Sequence, residues 1–314
     1  MIAVRTEELR KVFGTILALD GLNLSVEEGT VFGFLGPNGA GKTTSIRILT
    51  GLAHATGGQA WVMGKDVSSN QHEIAQQIGF LPEEPAFYPW MTPREFLDYV
   101  GRVFSLPAVE RTTRTKELLA LAGLEEAAKR RIGGFSRGMR QRLALAQALF
   151  NRPKVLFLDE PASALDPVGR KEVLDFIESL RGQCTVFMST HILADVERVC
   201  DTVGIIDRGR LVTAASREAL LAQYAIPAFE IEVDAKSQAA LMPWSEVVKR
   251  EAWVKTISVQ GFVARVIVSD VEAAKRDLLA SITQAGLILS RYEVVRPSLE
   301  DVFLQLVGQE EGLA

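Results

Sequence analysis

The sequence has few of the features that mark secreted, metal-binding or membrane-spanning proteins. It contains only two cysteines, Cys184 and Cys200, which lie in separate apolar segments, so we expect reduced core thiols rather than a disulfide. No spacing of cysteine and histidine indicates a bound metal. The apolar runs fall short of the ~18 residues of a transmembrane helix, and the N-terminus lacks the basic and then apolar layout of a signal peptide. We therefore expect a soluble chain with no membrane insertion of its own.

An excess of positive charge is also missing. The formal net charge is -4, which provides no general attraction for nucleic acid or anionic lipid, and we expect no nucleic-acid partner. Apolar residues, in contrast, are plentiful. They make up 47% of the 314 residues, which is enough for the buried cores of two domains.

The most informative positive feature is residues 36–44 (GPNGAGKTT), which match the G-x-x-x-x-G-K-[ST] pattern of a phosphate-binding loop. An apolar run precedes the loop and a segment with helical spacing follows it, so the loop lies where a strand turns into a helix. Backbone N–H groups of such a loop surround the phosphates, a lysine adds positive charge, and a hydroxyl binds Mg²⁺. The alternative is a glycine-rich turn that binds no ligand. It would not explain why the segment matches the whole loop pattern and also lies between a strand and a helix. The residues expected to bind nucleotide are Gly36, Pro37, Asn38, Gly39, Ala40, Gly41, Lys42, Thr43 and Thr44.

A second apolar run, residues 154–158, ends in Asp159 and Glu160. This pattern is typical of a buried parallel strand that delivers carboxylates at its C-terminal end. Two acidic residues at a strand end are often merely solvated, but the phosphate loop upstream favours a catalytic role. Asp159 is then expected to hold Mg²⁺ together with Thr43, and Glu160 to act as the general base that polarises the attacking water.

Four further segments occur in a fixed order around these two motifs. Residues 135–142 (FSRGMRQR) precede a helix-patterned segment, residues 164–166 (ALD) follow the acidic strand end, His191 follows an apolar strand, and Phe13 precedes the first strands. With this set of motifs, residues 1 to about 225 resemble the ATP-binding cassette (ABC) ATPases. The resemblance implies an α/β P-loop NTPase fold, a switch histidine at His191 with a catalytic role, and an adenine-stacking aromatic ring at Phe13. It also implies a signature sequence at Ser136, Arg137, Gly138 and Met139 and a D-loop at Ala164, Leu165 and Asp166.

The signature sequence has a physical role in a dimer. A helix N-terminus carries free N–H groups and partial positive charge, so Ser136 and the backbone of Gly138 form an anion site. In the family this site closes over ATP held by the partner's phosphate loop, so that ATP joins two subunits head to tail and hydrolysis releases them. Ser136 can equally be a helix cap, and both roles can hold together.

Two residues depart from the family pattern. Glu83 stands where the Q-loop glutamine is usual; it keeps an oxygen ligand for Mg²⁺ or its water but adds negative charge, and we expect activity to survive. Arg137 replaces the first glycine of the signature. It either supplies a cation beside the phosphates or points to solvent, and we favour solvent.

A helical subdomain is expected over about residues 84–150, inserted into the nucleotide-binding domain. Residues 92–95 (TPRE) form a capping box with proline at the first helical position, so a helix starts there. Upstream, residues 85–91 (PAFYPWM) place several large apolar side chains in a loop. In the family this subdomain receives coupling helices of a membrane partner. Two roles stay open for the apolar side chains of this loop: docking of the membrane partner, and packing against the helices of the subdomain itself.

A second, smaller domain is expected over residues 226–314. Its pattern comprises a strand at 229–233, a hairpin of 254–259 and 263–268, a helix that Asp270 caps, and a strand at 287–294. This order suggests a ferredoxin-like α+β sandwich. A short helix at 297–304 ends the pattern, which resembles the accessory domain on ATPase subunits of type-2 ABC exporters. A dimerising or regulatory role is favoured there over ligand sensing.

The resemblance implies the ATP-binding and hydrolysing subunit of a membrane ABC transporter, with ATP and Mg²⁺ as ligands. Its partners would be a second copy of the chain and a separate transmembrane permease, at the cytoplasmic face of the membrane. The single cassette and the C-terminal domain favour an exporter. An importer ATPase is the alternative, followed by a cytosolic ABC ATPase of the non-transport kind. The last class would show two cassettes, a coiled-coil insertion or zinc modules, and the sequence has none of these.

Overall fold

The structure, a computed structural model, describes residues 1–163, 165–223, 227–295 and 299–308. The chain divides into two compact units, Met1–Arg217 and Glu218–Ala314, with the boundary a few residues before the one expected near residue 225. Among the residues that the structure describes, no helix has the length and apolar composition of a membrane span.

The first unit combines two sheets with helices. Its elements are β1 (Ile2–Phe13), β2 (Ile16–Glu27), β3 (Val31–Leu35), α1 (Lys42–Leu49), β4 (Gly57–Val62), β5 (Lys65–Asp66), α2 (Gln71–Ala75), β6 (Ile78–Leu81), α3 (Pro93–Val103), α4 (Ala108–Leu121), α5 (Arg137–Ala148), β7 (Val155–Asp159), α6 (Pro167–Ser179), β8 (Thr185–Thr190), α7 (Leu193–Val199), β9 (Thr202–Asp207) and β10 (Arg210–Ser216). Helix α8 (Arg217–Gln223) begins at the boundary between the units.

The larger sheet of this unit has the strand order β10-β9-β3-β8-β7-β6, and its pairings are parallel except for β10 against β9. Strands β3, β7 and β8 are buried along their whole length, as continuous apolar runs predict. Phe32, Phe34, Phe157 and Phe187 pack between them with ring centroids 5.1 to 6.2 Å apart. Parallel pairing brings the C-terminal ends of β3, β7 and β8 to one edge, and the predicted motifs follow these three strands.

The remaining sheet of the first unit is antiparallel, with the order β2-β1-β4-β5. Phe13 lies at the end of β1, inside the β1–β2 hairpin, rather than ahead of the first strands. The hairpin turns at Gly14, whose φ of 57° lies in the left-handed region that glycine tolerates.

The region between β6 and β7 is mainly helical. Helix α3 begins at the predicted capping box: Thr92 Oγ1 accepts a hydrogen bond from the Glu95 N–H, and the Glu95 carboxylate accepts one from the Thr92 N–H. The helix buries Phe96, Leu97 and Val100, whereas Val103 near its end is 65% exposed.

The second unit is a four-stranded antiparallel sheet with helices. Its elements after α8 are β11 (Ala228–Val233), α9 (Gln238–Val248), β12 (Val254–Gln260), β13 (Val263–Val268), α10 (Val271–Gln284), β14 (Leu289–Val295) and α11 (Leu299–Gly308). The sheet order is β12-β13-β11-β14, and this βαββαβ arrangement is the ferredoxin-like sandwich that the pattern predicted. Of the helix expected over 297–304, residues 297 and 298 lie outside the described residues.

Helix α9 was not among the elements predicted for the second unit. Pro243 lies inside it, and an internal proline removes one backbone hydrogen bond and normally argues against a helix. Burial overrides this local preference, because Leu241, Trp244 and Val248 pack into the core formed with Phe229 and its neighbours on the sheet.

Candidate nucleotide site

The phosphate loop joins β3 to α1 and has a backbone that only small residues allow. Gly39 and Gly41 have positive φ angles of 83° and 108°. A Cβ atom on Gly41 would lie 2.7 Å from the Ala18 carbonyl oxygen, and one on Gly36 would lie 2.3 Å from the Ile206 carbonyl oxygen. These approaches exclude larger side chains and leave the loop backbone free to face a ligand.

Lys42, the first residue of α1, is buried, and its ammonium group has three partners. Nζ donates to the Gly36 carbonyl oxygen at 2.7 Å and to the Pro37 carbonyl oxygen at 3.2 Å, and it lies 3.5 Å from Glu160 Oε1. A buried charge of this kind requires compensation from nearby dipoles and opposite charge. The arrangement fixes a cation at the mouth of the loop.

Asp159 lies at the end of β7 and is linked to both flanking motifs. Its Oδ1 accepts hydrogen bonds from Thr43 Oγ1 at 3.1 Å and from Ser189 Oγ at 2.6 Å. Ser189 was not predicted, although a serine near the end of the buried, apolar-centred strand β8 was the available signal. Carboxylate and hydroxyl oxygens are ligands that Mg²⁺ prefers, and Mg²⁺ commonly uses only one or two carboxylates together with water and phosphate oxygens. The donor set at Thr43 and Asp159 therefore fits Mg²⁺.

Glu160 follows Asp159 and is held in an unusual backbone conformation. Its φ is 49°, and its N–H donates to both the carbonyl and the Oγ of Ser189 at 3.2 Å. A non-glycine residue in this region stores roughly 1 kcal/mol or more of strain, which persists only where the surroundings fix it. The side chain is buried, and Oε2 lies 2.9 Å from Nδ1 of His191. An ionised carboxylate can only accept, so Nδ1 carries the proton of this hydrogen bond.

These groups surround one cavity of about 350 Å³, which brings the phosphate loop together with Glu160, His191 and Glu83. Its lining residues are Ala18, Asn38, Gly39, Gly41, Lys42, Thr43, Thr44, Glu83, Glu160 and His191. All but Ala18 were predicted as site residues. Phe13 is not among them; it is 49% exposed, and its ring centroid lies 4.7 Å from the Lys11 ammonium group.

A third buried carboxylate, after Asp159 and Glu160, lies near this site. Asp195, in the first turn of α7, is 2% exposed and accepts a hydrogen bond from Arg170 Nε at 2.7 Å. Burial raises the pKa of Asp195, and the hydrogen bond from Arg170 opposes that shift; the negative charge of Glu160 raises the pKa further. Neither Arg170 nor Asp195 was predicted, because a lone acid in a short helix gives no sequence signal.

The predicted signature and D-loop residues lie at two helix starts. Ser136 caps α5 by accepting a hydrogen bond from the Met139 N–H at 3.2 Å, and Asp166 caps α6 by accepting one from the Gly169 N–H at 3.1 Å. Of the predicted D-loop, Ala164 lies outside the described residues, and Leu165 precedes the cap. None of the described residues in either motif is among those that line the 350 Å³ cavity of their own chain.

Glu83 lies between the nucleotide cavity and a smaller crevice of about 220 Å³. That crevice is lined by Glu83, Glu84, Pro85, Arg137, Arg140 and Gln141. In the single chain Arg137 is exposed on this crevice. Its action toward a partner's nucleotide stays a prediction.

The position of Glu83 at the cavity allows a direct test of its role. If an oxygen is all that the position supplies, Glu83→Gln should keep ATPase activity within roughly tenfold, or about 1.4 kcal/mol in barrier height. Glu83→Ala should lose more. Glu84→Gln is the matched control, because Glu84 lines the smaller crevice and is not among the residues that line the nucleotide cavity. Steady-state phosphate release measures all three, and loss of turnover in Glu83→Gln with intact ATP binding would instead give Glu83 a role in proton transfer.

Both units of the chain are similar to known protein families. A protein-family profile described as ABC transporter matches residues 19–163, and one described as ATP-binding protein DrrA1-3-like, C-terminal domain, matches residues 216–307. The uncharacterized ABC transporter ATP-binding protein YxlF of Bacillus subtilis (strain 168) is 40% identical over 96% of this chain and 98% of its own length. The daunorubicin resistance ATP-binding protein DrrA2 of Streptomyces coeruleorubidus is 37% identical over 98% of this chain and 95% of its own.

Solved structures agree with this comparison for the first unit. The dimeric post-hydrolysis state of the ATP-binding cassette MJ0796, bound to ADP and phosphate, matches with a TM-score of 0.62 and 26% identity. The match covers 68% of this chain and 98% of that one.

Proposed function

Because this chain belongs to the ABC transporter family of ATP-binding proteins and is an ATPase, we propose that it drives an exporter as a subunit bound to a separate membrane permease. The observation that carries the proposal is the pairing of the cavity around Lys42 and Glu160 with a C-terminal unit of the DrrA1-3-like family. DrrA2, a resistance protein by name, is similar over nearly the whole of both chains, which favours export over import.

The proposed chemistry uses Glu160 as the general base. The phosphates of ATP lie against the loop backbone and Lys42, and Glu160 takes a proton from water as the water oxygen bonds to the γ-phosphorus. The bond from that phosphorus to the bridging oxygen breaks, and ADP leaves with the electron pair. His191 holds the carboxylate through the 2.9 Å hydrogen bond. Thr43 and Asp159 would hold Mg²⁺, which neutralises phosphate charge when bound.

We further propose that two copies of the chain complete each site. The signature residues lie away from the cavity of their own chain, and the N-terminus of α5 at Ser136 is exposed, so it is free to meet another chain's nucleotide. A helix N-terminus favours an anionic partner of this kind. The dimeric state of the similar MJ0796 cassette supports the same arrangement.

The proposed permease contact is an aromatic crevice of about 460 Å³ in the helical subdomain. Phe87 packs inward against Phe96, with ring centroids 5.1 Å apart, while Tyr88 and Tyr99 stay partly exposed. Part of the loop packs within the subdomain, and part lines an open apolar groove, which supports the docking role considered from sequence. Such a groove suits a short amphipathic helix of a membrane protein. This contact would keep the chain at the cytoplasmic face of the membrane.

Val103 provides the test of this contact, because it is 65% exposed and lines both the aromatic crevice and its neighbour. Val103→Glu should reduce recovery of the permease in detergent co-purification by roughly tenfold or more, since burying an unpaired carboxylate costs several kcal/mol. Basal ATPase activity of the isolated chain should be unchanged. Val109→Glu is the control, because Val109 is 81% exposed and lies outside the crevice. Equal recovery with both variants would remove the crevice as the docking site.

For the C-terminal unit we propose an accessory role in dimerisation or regulation. Among the described residues, no three His, Cys, Asp or Glu side chains are grouped so that they could hold a metal ion. One face of its sheet carries a set of ion pairs in which Arg291 lies 3.2 Å from Glu230 and 3.6 Å from Glu232. A charged face of this kind favours polar contacts with another protein surface over the binding of an apolar ligand.

A further inference from the structure

An ion pair outside the lining of the nucleotide cavity joins the helices that follow the two catalytic strand ends. Helix α6 follows β7, which delivers Asp159 and Glu160, and α7 follows β8 and His191. Arg170 Nε on α6 donates to Asp195 Oδ1 on α7 at 2.7 Å. Asp195 is 2% exposed and Arg170 is 31% exposed as a side chain, so water screens this pair poorly. Removal of either partner would therefore leave a poorly solvated charge without compensation, which is costly.

Asp195 is connected to His191 through a short hydrogen-bonded segment. The Asp195 N–H donates to the Ile192 carbonyl oxygen at 3.1 Å, and the Ile192 N–H donates to Thr190 Oγ1 at 3.0 Å. Helix α7 has only seven residues, and no side chain caps its N-terminus. The ion pair with Arg170 thus anchors a helix start that has no local cap of its own.

Arg170 is fixed in turn by the start of α6. Its N–H donates to the Asp166 carbonyl oxygen at 2.9 Å, directly behind the Asp166 cap. The ion pair therefore ties the first turn of α7 to a capped helix start. Any shift of one turn against the other would move His191 relative to Glu160.

The charges favour the same role. Asp195 is a third buried carboxylate, after Asp159 and Glu160, and it is close enough to Glu160 for the negative charge of Glu160 to raise its pKa. The Arg170 guanidinium compensates the Asp195 carboxylate, as a buried charge requires. The pair therefore keeps the Asp195 carboxylate fixed against α6.

We propose that Arg170 and Asp195 are positioning residues for ATP hydrolysis, which hold the first turn of α7 so that His191 stays within hydrogen-bond distance of Glu160. The inference rests on the function proposed above for Glu160 and His191. Asp195 acts through His191 and has no contact with the nucleotide, so its loss changes the rate of hydrolysis and leaves ATP affinity intact.

The first experiment compares two aspartates on the same helix pair. Asp195→Ala should lower kcat roughly tenfold, or about 1.4 kcal/mol, with the Kd for ATP within about twofold of the unsubstituted chain. Rates are expressed per ATP-binding site, so that unfolded protein does not count. Asp175→Ala is the control, because Asp175 pairs with Arg198 between α6 and α7 but on the exposed surface. Asp195→Asn, which can still accept from Arg170, should retain most of the activity. Equal rates for the Asp195→Ala and Asp175→Ala variants would overturn the proposal.

A double-substitution cycle then separates positioning from general stability. In a His191→Ala background, Asp195→Ala should cause no further loss of kcat, because the group through which it acts is already gone. If instead the double variant loses kcat by the product of the two single fold-losses, the two residues act independently and the proposal is overturned. If Asp195→Ala fails to fold, Arg170→Met breaks the same pair from its more exposed side and carries the same expectation. Should His191→Ala alone leave turnover unchanged, the proposed site itself is wrong, and this outcome is distinct from a failure of the ion-pair inference.

Discussion

Replacement of Glu160 by glutamine should lower ATP turnover by roughly 10² to 10⁴-fold, the usual contribution of a positioned general base, while ATP binding persists. Glutamine has the same shape and can accept the hydrogen bond from His191 Nδ1, which is 2.9 Å from the carboxylate. It cannot take the proton of the attacking water. The positive φ of Glu160 is no obstacle, because glutamine meets the same backbone cost there.

ATP binding by Glu160→Gln should be equal or tighter. The cavity of the unsubstituted chain contains the carboxylates of Glu83 and Glu160 and only one cation, Lys42. Removing one negative charge close to the phosphates lowers repulsion, and Lys42 keeps its carbonyl partners in the loop.

Bound ATP that is not hydrolysed should hold two subunits together. We therefore expect Glu160→Gln to accumulate an ATP-dependent dimer on size-exclusion chromatography with Mg-ATP, and the unsubstituted chain to return to monomer as ATP is consumed. Glu84→Gln, outside the cavity, should behave as the unsubstituted chain does. A Glu160→Gln protein that binds ATP but stays monomeric at every concentration would contradict the proposed sandwich, and one that hydrolyses ATP normally would contradict the role of Glu160.

The parts of the site that lie on consecutive residues could be predicted from sequence. The phosphate loop and the Asp159–Glu160 pair each follow a buried strand, and the parallel sheet brings those strand ends to one edge. A loop of defined backbone and a continuous apolar strand are local properties, so their residue types carry the signal.

The supporting residues could not be predicted, because their contacts depend on how distant segments pack. Ser189 meets Asp159 through the pairing of β7 with β8, and Arg170 meets Asp195 across 25 positions of sequence. Helix α9 was missed for a different reason. Pro243 is a strong local signal against a helix, but the helix forms because the neighbours of Pro243 are buried in the core. Local patterns therefore place the reactive groups, and tertiary packing determines what holds them.

Substitution of Lys42 by alanine should weaken ATP binding by more than a hundredfold rather than slow the chemistry alone. Lys42 is the one cation among the residues that line the cavity, and its Nζ lies between the loop carbonyls and Glu160. The substitution removes that charge and leaves the buried Glu160 carboxylate facing the phosphates. A loss of roughly 3 to 5 kcal/mol, as for breaking a buried charge pair, would weaken the Kd by more than a hundredfold.

A fluorescent ATP analogue measures that Kd, and Lys65→Ala, which removes a lysine paired with Glu73 away from the cavity, is the control. The double variant Lys42→Ala/Glu160→Gln separates the two causes. If the missing cation dominates, the double variant should bind as poorly as Lys42→Ala; if the uncompensated carboxylate dominates, binding should largely return. Because Lys42 also holds the loop carbonyls that shape the phosphate cradle, we expect the first result. Near-normal ATP binding by Lys42→Ala would show instead that the loop backbone alone holds the phosphates.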